Sequence, residues 1–249
     1  MTDRTWHLVS VFPDLLGTYG DQGNVVVLER RLAWRGVGVR VTVVHHGEAI
    51  PEDGDLYVLG GGEDQAQSRA LPGLRDSSLA DAVRAGAHVF AVCAGFQLLG
   101  HSFATGSADH DGLGLLDVTT GRLNDRVVGE VRAAATSGLS FPRLNGFANH
   151  GGSTVLGPQA QPLARVLAGR GNTGSRRDLE GAVQGTVVGT YLHGPLLARN
   201  PGFADWILGR MVGAELPALD QGLPERLHAL RSQGRYAPRR SLRATTKAV

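Results

Sequence analysis

Five short apolar runs, at residues 8–12, 37–44, 56–59, 89–92 and 187–192, constrain this chain more than any other feature. They are rich in β-branched residues and too short for buried helices, so each reads as a buried strand. Between the first two, Asp21 and Asn24 can cap a helix whose Val25, Leu28 and Leu32 recur at helical spacing and which ends near Gly36. Between the third and fourth, residues 78–85 offer a second helix closed at Gly86. Strand, helix, strand, strand, helix, strand predicts an α/β fold: a mainly parallel central sheet with flanking helices, and a ligand site at the carboxyl ends of its strands. Residues 105–180 are glycine-rich with short apolar pieces and should add strands and loops, while 69–73 and 169–181 read as surface loops. Asn200-Pro201 then starts a helix through Trp206 and Met211, since proline suits the first helical turn.

Composition narrows the function classes. With 42% apolar and 19% charged residues the chain is globular rather than disordered. Its formal charge of +2 is a property of the tail: residues 234–249 hold Arg235, Arg239, Arg240, Arg243 and Lys247 and no acid, and without those five the charge is −3. A single domain over 1–233 followed by a basic, solvated tail is expected, and a nucleic-acid binder is not. One cysteine excludes an internal disulfide, and no run approaches the ~18 apolar residues of a membrane span, so a cytoplasmic protein without a transmembrane segment is expected.

That cysteine has distinctive neighbours. Residues 89–100 read as a buried strand turning at Cys93 into a helix, with Ala94 and Gly95 small enough for close approach of backbone and substrate. This is the pattern of a nucleophile elbow, in which a helix N-terminus favours the thiolate. A buried small hydrophobe is the competing reading of a lone cysteine. A nucleophile needs a base, and His193 ends the last apolar run, immediately before Gly194-Pro195. An acyl-transfer intermediate also needs donors for its oxyanion, and the backbone N–H groups of Gly60, Gly61 and Ala94 are candidates. The remaining histidines show no metal-site spacing.

Together these residues resemble the class I glutamine amidotransferases, whose elbow has the form C-x-G-x-Q, matched by Cys93, Gly95 and Gln97. Within that class the chain is similar to the cobyric-acid-synthase-like branch, and there to the family of glutaminase subunits of lipid II isoglutaminyl synthase (GatD). The likeness runs through Tyr19-Gly20-Asp21-Gln22-Gly23-Asn24, residues 60–65, Arg126-Val127-Val128-Gly129 and Gly146-Phe147-Ala148-Asn149-His150-Gly151-Gly152. It implies a class I amidotransferase (flavodoxin-like) fold and hydrolysis of L-glutamine by Cys93 and His193, with no metal or organic cofactor. Arg126 and Gln97 are the implied substrate-binding residues; a fork-shaped guanidinium suits glutamine's α-carboxylate. The implied partner is a Mur-ligase-like, ATP-dependent subunit (MurT) that amidates the D-glutamate of the peptidoglycan stem peptide. The chain itself shows no G-x-x-x-x-G-K-[ST] phosphate loop.

Pro195 stands where the general class carries a glutamate that orients the histidine. A backbone carbonyl, an acid elsewhere such as Asp64, or a residue of the partner could hold the ring. Asn149-His150, in a glycine-bracketed segment, is compatible with partner contact, with shaping the site, or with a plain turn. Two rival functions stand beside the main one: an amidotransferase for another acceptor, such as a corrinoid carboxylate, and a non-enzymatic cysteine-based sensor.

Overall fold

The computed structural model describes residues 4–106, 108–220 and 222–233. The basic segment 234–249 lies outside them. The chain begins with strand β1 (Trp6–Val11), helix α1 (Gly23–Ala33), β2 (Val39–Val44), β3 (Leu56–Leu59), α2 (Asp64–Arg75), α3 (Leu79–Arg84), β4 (His88–Val92) and α4 (Ala94–Leu98). There follow β5 (Ser102–Thr105), β6 (Ala108–Asp111), β7 (Val118–Ala135), β8 (Leu144–Leu156), β9 (Ala164–Ala168) and β10 (Leu179–Glu180). The last elements are β11 (Ala182–Gln184), β12 (Val187–Thr190), β13 (Leu192–His193), α5 (Leu196–Arg199), α6 (Pro201–Val212) and α7 (Gly222–Ser232).

The central sheet has the order β11-β12-β4-β3-β1-β2 and is parallel except for its β11 edge. Every residue of β1, β3 and β12 is buried, which is why these strands appear as near-continuous apolar runs rather than alternating ones. Leu8, Leu28, Leu32, Leu56, Phe90 and Phe203 are sealed between sheet and helices, each contributing roughly 1.5–3 kcal/mol by leaving water. The Arg31 guanidinium ties α1 to α6 through a forked pair with Asp205, Nε to Oδ1 at 2.7 Å. Among the described residues no helix is long and apolar enough to cross a membrane.

Several expectations are corrected. Residues 69–73 are not a loop: they belong to α2, which carries Pro72 near its end and buries Ala70, Leu71 and Leu74. The 169–181 stretch is irregular only as far as β10. Residues 187–192 are not one strand. The chain leaves the parallel sheet after Thr190, and Leu192 and His193 pair with Ala148 and Phe147 of β8. The glycine-rich middle forms a second, mostly antiparallel sheet, whose long β7–β8 hairpin pairs Val128 with Asn149 and Val127 with His150. Asn149-His150 is therefore strand, not turn.

Candidate active site

The order β12-β4-β3-β1 brings the ends of four parallel strands side by side; Gly60 and Cys93 follow the ends of β3 and β4 directly, and His193 lies just past β12, in β13. Cys93 follows β4 and is fixed to its neighbour by an N–H bond of 2.8 Å to the Thr190 carbonyl. Its backbone lies at φ 52°, ψ −107°, a region that non-glycine residues rarely occupy, before α4 begins at Ala94. That strained turn holds the thiol above the sheet edge. Gly95 permits it. A Cβ there would come within 2.8 Å of Leu59 Cβ and 2.9 Å of the Gly60 carbonyl oxygen.

His193 is buried at the end of β13, and its Nδ1 meets Asp21 Oδ2 at 2.9 Å. Asp21 is the orienting acid that the sequence did not identify. It sits just before α1 but makes no capping bond. The same Oδ2 accepts the Gly61 N–H at 2.9 Å, so one carboxylate oxygen holds both the imidazole and the glycine loop. The local cue, an aspartate ahead of a helix, points to a cap; its true partner is 172 residues away. The named alternative, Asp64, instead accepts the Gly106 N–H at 3.1 Å. Asn24, the other expected cap, accepts the Leu197 N–H.

Burial acts to lower the His193 pKa, but the Asp21 hydrogen bond and the neighbouring Cys93 sulfur outweigh it and raise it to about 10. Its Nε2 is buried without a hydrogen-bond partner, while Cys93 Sγ faces the Asn149 carbonyl oxygen at 3.9 Å. Gly61 lies between the groups. A Cβ added to it would stand 2.7 Å from His193 Cε1, 3.1 Å from Asp21 Oδ2 and 3.3 Å from Cys93 Cβ.

A pocket opens over the sulfur, lined by Gly62, Ala94, Gln97, Arg126 and His150 among others. Of the expected oxyanion donors, Ala94 lines it. The Gly61 N–H is taken by Asp21, and neither Gly60 nor Gly61 faces the pocket; Gly62 is the glycine of the loop that does. Arg126 is exposed at the rim, its Nε donating to Asn149 Oδ1, and Asn149 Nδ2 in turn donates to the Tyr19 hydroxyl. The Tyr19 ring stands edge-on to His193 at 4.9 Å between centroids. Gln97 is a wall residue rather than a free binding group. Its Oε1 accepts from Gln67 at 2.9 Å and its Nε2 donates to the Tyr191 hydroxyl at 3.0 Å, in a buried chain that continues to Thr154 and Thr120.

Behind the site, Glu180 Oε1 accepts the Thr190 hydroxyl and the Tyr191 N–H, bracing the point where the chain changes sheets ahead of His193. Burial is the main cause that raises the Glu180 pKa to about 7.

The sequence profile of the CobB/CobQ-like glutamine amidotransferase domain matches residues 8–201. The chain is 32% identical over 207 residues to the lipid II isoglutaminyl synthase (glutamine-hydrolyzing) subunit GatD of Staphylococcus aureus, covering 82% of each. It is 39% identical over 184 residues to a cobyric acid synthase from a Jannaschia species, covering 68% of this chain but 35% of that one. A crystal structure of a glutamine amidotransferase from Thermotoga maritima superposes with a TM-score of 0.54 at 19% identity, covering 92% of this chain and 90% of the other.

Proposed function

Because the chain belongs to the CobB/CobQ-like glutamine amidotransferases, we propose that it is the glutamine-hydrolysing subunit of a lipid II isoglutaminyl synthase. The observation that carries the reading is the Cys93 elbow beside an imidazole held by Asp21 at 2.9 Å. An inert core cysteine needs neither a strained backbone nor a buried acid–imidazole pair alongside.

In this reading the Cys93 thiolate attacks Cδ of glutamine, and the developing oxyanion is held by the N–H groups of Ala94 and Gly62. The His193 imidazolium gives its proton to the amide nitrogen, the C–N bond breaks, and ammonia leaves a γ-glutamyl thioester. The neutral imidazole then takes a proton from water, whose hydroxide cleaves the thioester to glutamate and restores the thiolate. Asp21 keeps the Nδ1–H tautomer and steadies the imidazolium. Arg126 receives the α-carboxylate at the rim.

Ammonia free in neutral water becomes ammonium and loses its nucleophilicity, so it must pass directly to an acceptor site. A Mur-ligase-like, ATP-dependent subunit (MurT) that amidates the D-glutamate of the peptidoglycan stem peptide is the proposed partner, in a cytoplasmic heterodimer in which residues 1–233 act as one domain. The 82% mutual coverage with GatD favours this acceptor over a corrinoid carboxylate, since the chain spans only 35% of the cobyric acid synthase. The test supplies amide-¹⁵N glutamine, ATP and lipid II to the co-purified pair. The expected product carries ¹⁵N in the isoglutaminyl amide, and Cys93→Ala abolishes it while leaving ammonium-dependent amidation intact. Glutamine hydrolysis with no transfer to lipid II would reject this acceptor.

A further inference from the structure

His150 lines the same pocket as Cys93 yet has no part in the chemistry above. We propose that His150 Nε2 accepts a hydrogen bond from the nitrogen that glutamine loses, first as the amide –NH2 and then as departing ammonia. The inference rests on the glutaminase reading and names the residue that recognises the scissile nitrogen.

The tautomer is set by the protein. Nδ1 faces the Gly152 carbonyl oxygen at 2.8 Å and can only donate to it, which leaves Nε2 as a lone-pair acceptor. The ring is held in place by stacking on Tyr191, with centroids 3.8 Å apart and planes at 15°. It is 1% exposed, and Nε2 has no hydrogen-bond partner. A buried acceptor left unpaired is costly, and a donor on the pocket's occupant would satisfy it. Burial, with lesser contributions from the positive charges of His193 and Arg126, lowers the His150 pKa to about 4, so the ring stays neutral at physiological pH.

Glutamine carries two nitrogen donors, the side-chain amide and the α-ammonium. The α-ammonium shares its carbon with the carboxylate, which belongs with the exposed Arg126 at the rim. The amide end must lie inside, against Cys93, where the buried imidazole is. Its Nε2 carries no proton, so His150 itself does not convert the departing ammonia to ammonium.

The experiment compares hydrolysis of L-glutamine with that of L-glutamate γ-methyl ester by the full chain with its partner. The ester passes through the same thioester but presents oxygen where the amide has N–H donors. His150→Phe keeps an aromatic ring on Tyr191 and removes the acceptor, and should lower the amide-to-ester ratio of kcat/KM about tenfold. His150→Gln places Oε1 where Nε2 was and should hold that ratio within about threefold of wild type. An unchanged ratio in the Phe variant, with both substrates falling together, overturns the inference, as does an equal fall in the ratio for the Gln variant. A wild type that cleaves neither substrate overturns the glutaminase reading itself.

Discussion

Replacing Asp21 by Asn isolates the charge of the orienting acid from its shape. Oδ2 takes both contacts, to His193 Nδ1 and to the Gly61 N–H, while Oδ1 has no partner. The asparagine carbonyl can therefore occupy the Oδ2 position and keep both hydrogen bonds, its –NH2 filling the unpartnered place. What disappears is the negative charge that helps hold His193 protonated up to about pH 10 against the effect of burial. General acid–base assistance is worth about 10²–10⁴-fold, and kcat/KM for glutamine should fall within that range, equivalent to roughly 3–5 kcal/mol of transition-state stabilisation. Glutamate release measured across pH should also show its alkaline limb displaced to lower pH, because the Asp21 charge no longer opposes the effect of burial on the imidazole and Cys93 alone remains to do so.

Stability gives an independent readout. A histidine whose folded pKa is raised from 6.5 to about 10 contributes stability that is fully present below pH 6.5 and lost as pH rises through 10. Chemical denaturation should therefore show wild type losing more stability than Asp21→Asn between pH 7 and 10. A variant with activity within about threefold of wild type and an unshifted alkaline limb would refute the role given to Asp21.

Gly61→Ala should abolish most glutamine hydrolysis, by about 100-fold or more, because its Cβ would stand 2.7 Å from His193 Cε1 and 3.3 Å from Cys93 Cβ; full activity in the same glutamate assay would contradict the geometry. Arg126→Lys keeps the charge but loses the fork, and should raise KM for glutamine about tenfold with kcat little changed, so a kcat loss at constant KM would contradict carboxylate binding. Glu180, raised from 4.5 to about 7, binds more protons folded than unfolded across that window, and its contribution to stability falls as pH rises through it. Urea titrations from pH 5 to 8 should accordingly show wild type losing stability relative to Glu180→Gln, by on the order of 1–3 kcal/mol; parallel pH curves would contradict the burial of that carboxyl.

The parallel sheet was legible because its inner strands β1, β3, β4 and β12 are buried almost throughout and stand out as apolar runs; residues 56–59 coincide with β3. The Cys93 turn was legible for a related reason, since small residues directly after a buried strand mark an elbow. The second sheet was legible only as further strands and loops within residues 105–180, without its boundaries or pairing. β7 and β8 are half exposed and interspersed with polar residues and glycine, so no apolar run announces them. Two of their glycines serve packing: a Cβ on Gly152 would lie 2.2 Å from Gln97 Nε2, and one on Gly146 would lie 2.6 Å from Leu192 Cβ. The Pro72-Gly73 pair reads as a break, yet α2 carries both within its last turn. Asp21 shows the limit of local reading most clearly, because nothing near it in the sequence reports an imidazole brought there by a separate strand. For the same reason the loop glycine facing the pocket proved to be Gly62, once Asp21 had taken the Gly61 N–H.

The most direct measurement is glutamate release from L-glutamine by the purified chain, alone and with the proposed Mur-ligase-like partner, beside Cys93→Ala. Release that depends on Cys93 under at least one of the two conditions is the predicted result. No release under either condition, or release that survives loss of the thiol, would contradict the assignment of Cys93 as the nucleophile of a glutaminase.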